Sequence, residues 1–274
     1  MDKKKKNRFP KAKTIRSCTF GTMDKVIIGV CVCCILLSGA GIWYETLDYF
    51  KAKEIYGDLQ KYSTLVDETS PAVEDQTYYI DWKSLRAVNP DVVAWIKIPG
   101  TVVDYPIVQT KDNQYYLKKG FDGKKNSCGT IFMNTYNRMD FSDDNTVLYG
   151  HNMKNGSMFA VINKYREETF YKEHKEVWLL TPYWERKYQI ISAHKAADGS
   201  ETYATEFRER YAEHVEKEAS MSIYDTGNGY NVELPMVTLS TCTGHGALDR
   251  MVLICQPVYE MKLDPFIQDS GAVS

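Results

Sequence analysis

The chain reads as a mainly β protein with flanking helices, and three observations carry that reading. Eight short runs rich in β-branched and aromatic residues are separated by turn-forming residues, one clear helical periodicity interrupts them, and 43% hydrophobic content in 274 residues is ample for a core. The runs are VVAWIKI (92–98), VVDYPIVQ (102–109, after a Pro99-Gly100 turn), TIFM (131–134), TVLYG (146–150), VWLLT (177–181), KYQIISAH (187–194), MVTLST (236–241) and MVLICQPV (251–258). Strands this short at this spacing suggest a barrel or a sandwich.

The remaining elements follow in chain order. Residues 1–25 hold nine Lys and Arg against two Asp, a net of +7 in a chain whose total is −2, so everything after the first segment is acidic on balance. Val26–Tyr44 is uncharged for 19 residues. At about 1.5 Å per residue a helix of that length crosses a bilayer core. The basic flank predicts a cytoplasmic tail at 1–25, an anchor in membrane lipid at 26–44 with Trp43 and Tyr44 at the outer interface, and a domain outside the cell. A cleaved signal peptide is the rival, because Ser38, Gly39, Ala40 and Gly41 are small, but the run exceeds the roughly 7–15 residues of an ordinary signal core. Beyond it, Ala52, Ile55, Leu59, Tyr62 and Val66 form one face of an amphipathic helix, and the polar stretch Asp67–Gln76 links it to the body. Residues 45–76 are therefore a helical segment and linker, and 77–274 the main domain. Within that domain Phe207, Tyr211, Val215 and Ala219 predict a helix with Thr205 as N-cap and Glu206 and Glu209 in its first turn.

Of seven cysteines, Cys18 falls in the tail and Cys31, Cys33 and Cys34 in the apolar span, where they read as small lipid-facing residues. Cys128, Cys242 and Cys255 are left for the domain, which is either singly bridged with one Cys free or wholly reduced. Cys255, inside MVLIC, reads as core, and Cys128, in KKNSCGT, as an exposed loop residue. A domain that works without a disulfide is the expectation, since Cys242 must be free for the chemistry below.

That chemistry lies in VTLSTCTGHGALDRMVLICQ (237–256). Cys242 ends one strand-like run and Arg250 begins the next, while His151 ends NTVLYGHNM (145–153), where Gly150 permits close approach. A thiolate can attack a carbonyl, an imidazole can protonate the leaving amine, and a guanidinium can steady the oxyanion. A cation beside the Cys also favours the thiolate. The other histidines compete for the acid. His174 and His214 lie in charged stretches and read as solvated surface residues, His194 ends a strand, and His245 is the serious rival through Cys242-x-x-His245. That pair could be half of a metal site, but only Cys255 is near, inside a strand, and no metal is expected. Arg250 alone could equally be a surface ion pair with Asp249. No phosphate-binding glycine loop and no basic-aromatic patch outside the membrane segment points to a cofactor or to nucleic acid.

LSTC followed eight residues later by Arg, with YGHNM upstream, resembles the sortases, cysteine transpeptidases of Gram-positive cell surfaces. DWKSLRAVNPDVVAWIKIPGTVVDYPIVQ (81–109), DNQYYL (112–117), GTIFM (130–134) and GSMF (156–159) resemble class B in particular, and the likeness runs from about Tyr79 onward. The resemblance implies a sortase-like eight-stranded β-barrel with Cys242, His151 and Arg250 catalytic and no cofactor. It further implies that Ser240 contacts the substrate or Arg250, that Asn113 and Leu117 line the peptide groove, and that Tyr203 stands on its wall. Cys242 would attack a Thr carbonyl in the C-terminal sorting motif of an exported protein, and an amino group of peptidoglycan or its lipid-linked precursor would resolve the thioester. Thr243, where some relatives carry a carboxylate, and the short loop between Cys242 and Arg250 bear on substrate choice. An L,D-transpeptidase fits less well, since its motif S-x-G-C-x-R is met here by Thr241 before Cys242 and a distant Arg250. A surface-binding or sensor ectodomain without catalysis is the non-enzymatic alternative.

Overall fold

The computed structural model describes residues 21–65, 77–242 and 249–264, without the side chains of 42, 44–55 and 242. The chain divides into two compact units, Met1–Thr46 and Leu47–Ser274. In the first, the stretch Thr22–Gly41 of helix α1 (Thr22–Leu59) has a mean hydropathy of 2.0 over 20 residues, long and apolar enough to cross a membrane.

The second unit opens with the end of α1, whose Tyr56 and Leu59 are buried in the domain core. The helix was expected to continue to Val66, but it stops at Leu59. A 3₁₀ turn (Gln60–Tyr62) follows, and β1 (Ser63–Leu65) pairs antiparallel with β2 (Tyr78–Ile80). Val66 and the linker Asp67–Gln76 lie outside the described residues. Helix α2 (Trp82–Val88) starts where the Asp81 carboxylate accepts the Ser84 N–H at 3.0 Å. It ends before Pro90, which disfavours helical backbone at Asn89.

Each of the eight runs becomes one strand of a closed barrel: β3 (Val92–Lys97), β4 (Asp104–Val108), β5 (Ile131–Met133), β6 (Asn145–Tyr149), β7 (Glu176–Leu180), β8 (Trp184–Ala197), β9 (Met236–Cys242) and β10 (Asp249–Lys262). Helix α3 (Glu168–Glu173) precedes β7, and α4 (Tyr211–Ser220) lies between β8 and β9. Around the barrel the order is β10-β8-β7-β3-β4-β5-β6-β9, with β9 closing onto β10. The pairs β4–β5 and β6–β9 are parallel, and the others are antiparallel.

Strand parity explains why the last strands read as unbroken apolar runs. Met251, Leu253 and Cys255 join Val237, Leu239 and Ile190 in the main core, whereas Val252 and Ile254 join Met236, Ile191 and Val215 of α4 in a smaller cluster. These strands are covered on both faces, so neither set can be polar. Fully burying a side chain such as Leu239 or Leu253 stabilises the fold by about 1.5–3 kcal/mol.

Three local features depart from what the sequence predicts. Cys128 is 1% exposed, because its loop folds back on itself: the Cys128 N–H meets Asn126 Oδ1 at 2.9 Å and the Tyr56 hydroxyl donates to the Gly129 carbonyl. His214 is buried rather than solvated. It stacks on Phe207 at 3.8 Å between ring centroids and faces Glu218 on its own helix. Thr205 does not cap α4; a 3₁₀ turn (Arg208–Arg210) intervenes, and Asp144 Oδ2 takes the Phe207 N–H at 2.7 Å. Cys255 is buried as expected, with its thiol unbridged.

Candidate active site

Three adjacent strand ends assemble the rim of the barrel. In the parallel pair β6–β9, Tyr149 stands opposite Ser240, and the Gly150 N–H extends the ladder by donating to the Ser240 carbonyl at 3.1 Å. Two residues further along each strand come His151 and Cys242. On the far side of β9, antiparallel pairing sets Arg250 of β10 directly opposite Cys242. His151, Cys242 and Arg250 are thus brought to one edge by register, although the chain separates the first two widely. His245 and Thr243 lie outside the described residues.

The local sequence holds His151 in place. A Cβ on Gly150 would lie 2.5 Å from Ile131 Cδ1 and 2.6 Å from the Phe159 ring, so only glycine lets the strand end settle onto these side chains. The Phe159 N–H closes onto the His151 carbonyl at 3.1 Å. His151 Nε2 lies 2.7 Å from the Leu117 carbonyl. A carbonyl can only accept, so Nε2 carries the hydrogen and Nδ1 is left as the nitrogen that gains or loses a proton. Leu117 reaches this position through a loop folded around Asp112, whose Oδ1 accepts the N–H groups of Gln114 and Tyr115 at 2.7 and 2.8 Å. Gly129 runs past the same carbonyl at φ +60°, where a Cβ would meet the Tyr116 carbonyl oxygen at 2.6 Å and the His151 ring at 3.0 Å.

A cleft of about 400 Å³ opens beside these groups, with His151, Arg250, Asn113, Leu117 and Ser240 all on its lining. Sequence reasoning missed four further lining residues, Gln114, Phe132, Tyr149 and Asp198. Asn113 is fixed at both ends of its amide, donating to Asn134 Oδ1 at 3.1 Å and accepting the Thr135 N–H at 2.8 Å. Tyr203 stacks on Tyr149 and shares a 3.2 Å hydrogen bond with Ser240 Oγ. Burial pushes the Tyr203 phenol up to about 12, so the group stays neutral in that bond. Asn145 at the start of β6 ties the Tyr203 segment down, donating to the carbonyls of Thr202 and Ala204 at 3.0 Å each and accepting from Thr238.

Arg250 pairs with Asp198 across the barrel rim. Nε meets Oδ1 at 3.0 Å and Nη2 meets Oδ2 at 3.2 Å, and the guanidinium holds the Asp198 carboxyl below the usual carboxylate range. The signal available in the sequence was weak: Asp198-Gly199 is a turn pair just beyond a strand.

A barrel edge that gathers a Cys, a His and an Arg beside a peptide-sized cleft has the parts of a cysteine acyl-transfer enzyme. A sortase-domain family model matches residues 96–258. Sortase B of Listeria monocytogenes is 34% identical over 162 residues, 58% of this chain and 66% of that one. Sortase B of Staphylococcus aureus is 31% identical over 185 residues, 67% and 74% of the two chains. Among solved structures, Bacillus anthracis sortase B in complex with AAEK1 superposes with a TM-score of 0.66 at 30% identity, over 78% of this chain and 99% of that one. The Staphylococcus aureus sortase B–substrate complex gives 0.61 at 29% identity, over 67% and 85%. The chain belongs to the sortase family, and within it to class B, whose members are cysteine transpeptidases. That membership sets aside the L,D-transpeptidase and the non-catalytic ectodomain.

Proposed function

We propose that this chain is a membrane-anchored transpeptidase that cleaves a C-terminal sorting motif of exported proteins and joins them to an amino group of the cell wall, with Cys242, His151 and Arg250 as its catalytic residues. The observation that carries the reading is the shared register of β6, β9 and β10, which sets these three residues on neighbouring strand ends. The Cys242 thiolate attacks the carbonyl carbon at the scissile bond, forming a C–S bond. As the tetrahedral intermediate collapses, the C–N bond breaks and the leaving amine takes a proton from His151 Nδ1, while Nε2–H stays on the Leu117 carbonyl and holds the ring. Arg250 donates to the oxygen that becomes negative. A wall amine, from peptidoglycan or its lipid-linked precursor, then attacks the thioester carbonyl, loses a proton to His151 and, as the C–S bond breaks, releases Cys242 as the thiolate. Asn113, Leu117 and Ser240 line the peptide's groove, and Tyr203, hydrogen-bonded to Ser240, stands on its wall.

The domain limits proposed are a basic cytoplasmic tail at 1–25, an anchor at 26–44, a helical segment and linker at 45–76 and the catalytic barrel at 77–274. The +7 segment before the apolar helix supports an outward-facing domain. One experiment tests activity and topology together. A membrane-impermeant, thiol-reactive sorting-peptide analogue added to intact, wall-stripped cells should form an adduct on Cys242 and none on Cys242→Ala. Adducts in lysed cells alone would overturn the topology, and adducts in neither would overturn the reaction.

A further inference from the structure

We infer that Asp198 is a positioning residue for transpeptidation, holding the guanidinium of Arg250 in the plane and direction from which it meets the developing oxyanion; this rests on the role proposed above for Arg250.

The placement follows from register. β10 and β8 pair Arg250 with Ala196, so Asp198, two residues further along β8's path, comes out on the same face, diagonal to the Arg. Its two oxygens take Nε–H and an Nη2–H of the fork at 3.0 and 3.2 Å. A bidentate contact of this kind fixes both the plane and the rotation of a guanidinium, which a single contact or a lysine cannot do. The row across the rim is therefore Cys242, Arg250, Asp198, with the cation between the thiol-bearing strand and the carboxylate.

Stability does not account for the pair. The Asp198 side chain is 60% exposed and that of Arg250 27% exposed, and an ion pair so open to water adds little to folding. What it does supply is order. A long side chain with several rotatable bonds is held in one geometry before substrate arrives, so that ordering is not left to the reaction step. Gly199, at φ +75°, turns the chain immediately after Asp198. The depressed carboxyl keeps Asp198 ionised into the acid range, and the grip on Arg250 persists there.

The test uses the full chain in detergent and a fluorogenic sorting peptide that the unmodified chain cleaves. Asp198→Ala should lower kcat about tenfold, less than the roughly 10²–10³ lost with an oxyanion donor itself, with KM changed by no more than about twofold. Its melting temperature should stay within about 2 °C. Asp198→Glu, which keeps the two oxygens, should recover most of the rate. Combined with Arg250→Ala, Asp198→Ala should add no further loss. Unchanged kcat in Asp198→Ala beside an inactive Arg250→Ala would overturn the inference, as would a further tenfold loss in the double variant. A fully active Arg250→Ala would instead overturn the role of Arg250 on which the inference rests.

Discussion

At the barrel rim His151 hands one ring nitrogen to the Leu117 carbonyl, 2.7 Å away, and stands on the wall of a cleft. Beneath α4, His194 and His214 approach Glu218 at 3.2 and 3.7 Å, with no more than 3% of either imidazole exposed. Thr202 donates to the same carboxylate at 2.9 Å, and Ser192 bonds the other nitrogen of His194 at 3.0 Å. One setting leaves a nitrogen able to exchange protons with a bound ligand, and the other encloses its imidazoles between strand and helix. The residue type is the same; access and the partner on the second nitrogen decide whether it can serve as an acid.

The contrast is broken most directly at the rim. His151→Ala should cost about 10²–10⁴ in peptide cleavage, the usual range for a positioned acid, while leaving thermal unfolding nearly unchanged. His245→Ala should mainly alter affinity or specificity. An active His151→Ala beside an inactive, folded His245→Ala would reverse the assignment of the acid.

The inner cluster should answer in the opposite way. Glu218→Ala removes the carboxylate that faces both buried imidazoles and leaves the Thr202 hydroxyl without its acceptor, and a buried polar group left unsatisfied costs roughly 1–3 kcal/mol. Denaturant unfolding should register that loss, while kcat per folded molecule stays near the original. A variant of unchanged stability would show that the cluster contributes no net stability.

The smallest effect is a pH dependence. Desolvation lowers the pKa of His214 below its ordinary 6.5, outweighing the opposite pull of Glu218 and Glu201. Between the folded and unfolded values the unfolded chain binds more protons, so this group's contribution is whole above about 6.5 and is lost as pH falls through the folded value. The slope of unfolding free energy from this residue should be at most about 1.4 kcal/mol per pH unit and should flatten in His214→Gln.

The sequence carried the barrel well, because each of its strands has β-branched or aromatic residues bounded by turn chemistry, and the parity of MVLIC survives translation into two packed faces. The three residues at the rim were also legible, through their motifs and family likeness. What failed was burial inferred from neighbours. His214 sits among Glu and Lys that do face water, and only the helix's rotation against β8 turns its ring inward. Cys128 lies in a polar loop that folds beneath Tyr56. Asp198 was invisible for a related reason: its partner is on another strand, and no local pattern reports a diagonal contact. The pairing of β1 with β2 joins segments on either side of a polar stretch whose composition says nothing of register.

The parallel pairing of β6 with β9 also sets a schedule for the maturing polypeptide. Parallel neighbours need a long connection, and here it contains β7, β8 and α4, so His151 is made well before the strand that bears Cys242. Contacts between such distant segments form late, after the entropy of closing the intervening loop has been met. Until β9 slots between β6 and β10, Cys242 has neither His151 nor Arg250 on a neighbouring strand end. With the catalytic roles proposed above for these three residues, reactivity toward peptides is expected only once the barrel has closed, and a half-folded chain is expected to carry an ordinary cysteine.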